Sequence, residues 1–108
     1  MKEYPTTDEL NTIREWDVLG KGPMGLVEFV QKLWKYGEVV VTGKRVKYLA
    51  LHTCGWSGNE EIVDALEDNR FFWTFYWQQS KRGGHHWFKI DLHHRGQRPV
   101  NWQPGVKK

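Results

Sequence analysis

Apolar residues recur at helical spacing in some stretches of this chain and alternate at strand spacing in others. Thr6-Thr7-Asp8-Glu9 opens the first helical stretch as a capping box, Thr6 serving the amide of Glu9, with Leu10, Ile13 and Trp16 or Asp17 following. Gly20-Lys21-Gly22 breaks it. Pro23 suits a first helical position, and Leu26, Val27, Val30, Leu33 and Trp34 recur until Gly37. Residues 39–42 and 45–53 read as a strand pair turning at Gly43. A helix then runs from Ser57 or Asn59 to about Asp68, with Ile62, Val63 and Leu66 on one stripe and Glu60, Glu61, Asp64 and Glu67 on the other.

Residues 71–79 and 87–92 read as a closing hairpin around Gly83-Gly84. A two-residue turn there opposes Arg82 to His85, Gln79 to Phe88, Trp77 to Ile90 and Phe75 to Leu92. That register places Phe71, Trp73, Phe75, Trp77, Phe88, Ile90 and Leu92 on a core face. It leaves Phe72, Tyr76, Trp87 and Lys89 on the other side as an aromatic contact face. The first hairpin does not choose its core side, since Val39, Val41 and Tyr48 compete with Val40, Leu49 and Leu51. The strand ending at Thr53, the helix and the strand from Phe71 form a β-α-β crossover, parallel if both strands share a sheet. The expected fold is therefore α+β: N-terminal helices, a β-hairpin, a helix and a β-hairpin, making a single four-stranded mixed sheet with helices on one face. Residues 1–94 make one domain, and 95–108, with Pro99 and Pro104, a loosely ordered tail.

Composition narrows the class. A chain of 108 residues holds one core. No apolar run is long enough to cross a membrane and no leader precedes the first charges, so a cytoplasmic protein without a membrane partner is expected. A single Cys forms no internal disulfide. The net charge of +3 biases the chain mildly toward anions. Seven Trp are more large rings than one core absorbs, which points to a binding surface.

The crossover brings the 55–59 turn and the 82–85 loop to one sheet edge. Gly55, Trp56, Ser57 and Asn59 would meet Arg82, Gly83 and His85 there. Free helix amides, an Arg fork and open glycine backbone suit a phosphate, and Trp56 suits a planar base. The same residues fit a structural account, with Ser57 and Glu60 as a capping box and Trp56 as a hydrophobic staple. His52, Cys54, His85 and His86 form a thinkable zinc set, yet no spaced ligand motif supports it, and neither metal nor cofactor is expected. Two nearby histidines also suit acid–base work on a phosphodiester. Without a nucleophile motif, paired carboxylates or a phosphate-loop fingerprint, a binding protein is expected ahead of an enzyme.

The motifs at 55–60 (Gly-Trp-Ser-Gly-Asn-Glu) and 82–85 (Arg-Gly-Gly-His), with the Phe72-Trp73 and Tyr76-Trp77 pairs between them, resemble a family of small uncharacterised proteins encoded by phages and bacterial genomes. The similarity spans about Tyr4 to Ile90. It departs at Cys54, where the family tends to have Gly, and at His86, where it tends to have Tyr. The resemblance implies a shared constellation of Gly55, Trp56, Asn59, Arg82, Gly83 and His85. It also implies phage-type work: sequestering a nucleotide or other anionic ligand, or inhibiting a host protein through the aromatic face. Single-stranded nucleic-acid binding on Phe72, Tyr76, Trp87 and Lys89 is a third reading, and an exposed aromatic face also suits a homo-oligomer.

Overall fold

The computed structural model describes residues 4–91, so the expected tail 95–108 and the placement of Leu92 lie outside the described residues. The order is α1 (Thr7–Arg14), α2 (Val18–Lys21), α3 (Pro23–Leu33), β1 (Glu38–Thr42), β2 (Val46–His52), α4 (Ser57–Asp68), α5 (Arg70–Tyr76), β3 (Trp77–Lys81) and β4 (His85–Asp91). The fold is α+β, with a four-stranded sheet. The capping box forms at α1: Thr6 Oγ1 accepts from the Glu9 amide, and the Glu9 carboxylate accepts from the Thr6 amide. Pro23 starts α3.

The sheet order is β1-β2-β4-β3, and every neighbouring pair is antiparallel. This corrects the mixed sheet. β2 and β3 do run the same way, but β4 lies between them, because the hairpin strand that returns from β3 pairs with β2 instead of forming an outer edge.

The largest departure is at 70–76, a helix instead of the first half of a strand. Asn69 is the cause. Its side-chain oxygen accepts from the Phe72 amide at 3.1 Å, which caps α5, while its Nδ2 donates to the carbonyls of Ile13 (2.9 Å) and Trp16 (3.2 Å) at the end of α1. Aromatic rings that suit a strand then meet at helical spacing, Phe72 edge-on to Tyr76 and Trp73 stacked on Trp77. Phe72 (1% exposed) and Tyr76 (7%) enter the core, and Phe71 and Trp77 (39%) face out. The expected core face and contact face of this segment are thereby exchanged at Phe71, Phe72, Tyr76 and Trp77. The turn spans residues 82–84, so Lys81 opposes His85, and a bulge between Trp77 and Gln79 sets Trp77 against Phe88.

In the first hairpin odd-numbered residues oppose odd, Val39 to Leu51 and Val41 to Leu49. Its core side therefore combines halves of the two competing sets, and Tyr48 and Val40 face out. Leu49, Leu51, Phe88 and Ile90 meet Ile13, Leu26, Val30, Ile62, Leu66 and Phe72 in one core on the helical side. The other side of the sheet carries none of that core.

Candidate functional site

The 82–84 turn meets Thr53, just ahead of the first glycine-bearing motif, at the end of the sheet where β2 stops and β4 starts. The Thr53 amide donates to the Gly84 carbonyl at 3.0 Å. Gly84 has φ +81°, and a Cβ there would stand 1.9 Å from Thr53 Oγ1, so a side chain is excluded by both conformation and space.

The side chains expected to converge do not. Asn59 is fully buried: its oxygen accepts from the Lys35 amide at 3.1 Å, and its Nδ2 donates to the carbonyls of Lys35 and Thr53. Both amide hydrogens are committed to tying the α3–β1 connection to the end of β2. Trp56 lies between Tyr4 (centroids 5.1 Å) and Tyr36 (5.3 Å), folded over Gly58, where a Cβ would touch the ring. Ser57 does not cap α4; Trp56 holds that position without a side-chain bond, and the Ser57 hydroxyl pairs with that of Tyr4 at 3.3 Å. Gly55, Arg82 and Gly83 are exposed. A groove of about 300 Å³, lined by Tyr4, Pro5, Glu9, Phe29 and Lys32 among others, borders this cluster through Tyr4.

What the topology assembles is the open face of the sheet. Cross-strand partners share a face, so the registers line up Glu38, His52, His85 and Lys81 as one row across all four strands. The next row is Val40, Ala50, Trp87 and Gln79, and beyond it stand Thr42, Tyr48 and Lys89. Trp87 is half-buried among small or polar neighbours, with the His52 and His85 rings 6.0 and 6.1 Å away and Lys81 Nζ 6.0 Å from its centroid. Of the expected contact face, Trp87 and Lys89 belong here, whereas Phe72 and Tyr76 are in the core. Sequence reasoning missed Glu38, Tyr48, Ala50 and Lys81. Residue parity would have found them once β4 was set beside β2.

His52 Nδ1 and His85 Nδ1 lie 2.8 Å apart. His86, the next residue, projects to the helical side. There Trp77 Nε1 donates to Ser80 Oγ at 2.8 Å, and the Ser80 hydroxyl shares a hydrogen bond with His86 Nδ1 at 2.7 Å. Burial holds His86 below the usual imidazole pKa and the His85 imidazole adds to this, against an upward pull from Asp64 and Glu60. The imagined zinc set is thus split between two faces, with Cys54 in an exposed turn at φ +53°. Among the described residues, no group of three or more His, Cys, Asp or Glu is arranged to hold a metal ion. Nor is any helix there long and apolar enough to cross a membrane.

Comparison of the chain with protein-family models, with curated proteins and with solved structures finds no match.

Proposed function

We propose that the protein binds single-stranded nucleic acid on the open face of its sheet, with Trp87 as the stacking platform. The observation that carries this reading is the Trp87 ring, set between Ala50 and Gln79 with the Lys81 ammonium over it. Charge supports it. The strands and their turns hold Lys44, Arg45, Lys47, Lys81, Arg82 and Lys89 against Glu38 and Asp91, while α4 carries an exposed acidic side at Glu60, Glu61, Asp64, Glu67 and Asp68. A strand of phosphates would track the sheet and avoid α4.

The nucleotide chemistry expected at the 55–59 and 82–85 edge moves with this reading. Asn59 and Trp56 have structural work, and Arg82, Gly83 and His85 border the open face instead. Inhibition of a host protein is less well supported, because the apolar row Val40, Ala50 and Trp87 is one residue deep and is bordered by Glu38, His52, His85, Lys81 and Lys89. We read the chain alongside the small phage and bacterial proteins that its two motifs resemble, acting on nucleic acid in the host cell.

Titration of Trp fluorescence with single-stranded and duplex oligonucleotides tests the proposal. Single strands should bind and duplex should bind more weakly. Trp87→Ala should weaken binding by about 5- to 150-fold, the worth of one stacked base. Equal binding of duplex, or full affinity in Trp87→Ala, would refute it.

A further inference from the structure

The open face holds one arrangement that binding alone does not use. His52 and His85 meet nitrogen to nitrogen at 2.8 Å, and such a hydrogen bond requires one Nδ1 protonated and the other bare. In the neutral pair, one Nε2 is then a free base and the other carries a hydrogen. A proton taken up at the bare Nε2 sends the shared Nδ1 proton across and releases a proton at the far Nε2. The two rings therefore act as one acid–base unit.

The geometry points to metal-independent cleavage of single-stranded RNA by this unit, an inference that rests on the binding reading above. RNA brings its own nucleophile, so the absence of an activated Ser or Cys is no obstacle. His52 Nε2 takes the proton of the ribose 2′-hydroxyl, O2′ bonds to phosphorus, the P–O5′ bond breaks, and O5′ receives the proton from His85 Nε2. The products are a 2′,3′-cyclic phosphate and a 5′-hydroxyl, with no co-reactant consumed. The row gives the two rings unlike neighbours: Glu38 stands opposite His52, the base, and Lys81 opposite His85, the acid. Lys81 also faces the charge that gathers on the phosphorane. Near His85 Nε2 the turn is open, since Gly83 lacks a Cβ that would stand 3.1 Å away. Trp87, about a ring's width from both imidazoles, would hold the neighbouring base.

The test uses the full chain in a chelator, with end-labelled single-stranded RNA, the same sequence as DNA, and the same sequence as 2′-O-methyl RNA. RNA should be cut to fragments ending in 2′,3′-cyclic phosphate, while DNA and 2′-O-methyl RNA are bound and left intact. His52→Gln and His85→Gln should each slow cleavage about 100-fold or more, within the usual worth of an acid or base, and still bind RNA. The groups beside the pair in the sheet are Glu38 from β1 and Lys81 from β3, with His86 adjacent in β4. Acid should abolish cleavage by filling the bare Nε2, and above that limb the rate should stay level, because the neutral pair is the working form. RNA bound but uncut, or cut equally by His52→Gln, overturns this inference and leaves the binding reading standing. A bell-shaped profile overturns the shared proton. No binding to any single strand overturns both.

Discussion

Asn59 decides between a ligand residue and a structural one, and its replacement by Ala separates the two. The side chain makes three hydrogen bonds, one from the Lys35 amide and two to the carbonyls of Lys35 and Thr53. At roughly 1 kcal/mol net apiece they amount to about 3 kcal/mol. The Thr53 carbonyl keeps a second donor, the Trp56 amide at 3.2 Å, and the Lys35 groups are partly exposed and regain water. The expected loss is therefore about 2–3 kcal/mol. For a chain of this length that lowers the melting temperature by about 8–12 °C. Far-UV circular dichroism melts and urea titration of parent and variant measure it, with an unchanged urea slope confirming a loss of stability alone. Nucleic-acid affinity, measured where the variant is folded, should match the parent, because Asn59 is not on the open face. A variant within 0.5 kcal/mol of the parent that no longer binds its ligand would refute the structural assignment.

The helix at 70–76 predicts unequal costs for two adjacent-looking aromatics. Phe72→Ala should cost about 3–5 kcal/mol as a buried ring, and Trp77→Ala clearly less, in parallel urea titrations; the reverse order would restore the strand register. His86 predicts a pH dependence. Its folded-state pKa is lowered by burial and by His85, so the unfolded chain takes up the proton first as pH falls. The stability contribution is full above the unfolded value of about 6.5 and is lost as pH drops from there toward the folded value. Melting temperatures at about pH 7.5 and about pH 5.5 should differ less in His86→Gln than in the parent.

Much of the fold was legible because the local signals agreed with the packing. The Thr6–Glu9 box, Pro23, the apolar stripe of α4 and the alternation of Phe88 and Ile90 each named their element correctly. The failure at 70–76 has a definite source. A run of six aromatics among seven residues has strong strand propensity, and period 2 and period 3.6 both find a ring at every position they test. The residue that broke the tie was Asn69. Its capping role looks ordinary in the sequence, and its hold on Ile13 and Trp16 depends on partners 56 and 53 residues away. Likewise Asn59 looked like a ligand group because nothing local revealed the 24-residue link to Lys35.

The candidate site was hidden by one topological step. With β3 and β4 treated as an outer hairpin, His52 and His85 belong to the same edge but to no common surface. Once β4 is inserted between β2 and β3, antiparallel pairing makes His52 and His85 direct partners, and Glu38 and Lys81 become the ends of their row. His86, one residue on, is sent to the opposite face and into the Ser80–Trp77 hydrogen bonds. Four strands thus acquire one surface and one polarity, carboxylate to ammonium, through register alone. This order also fixes what must fail together: a substitution that shifted β4 by one residue would send His85 and Trp87 into the helical side and bring His86 and Phe88 out. The core loss and the loss of nucleic-acid binding would then appear in the same variant. Point changes at Trp87, by contrast, should affect binding with the register intact.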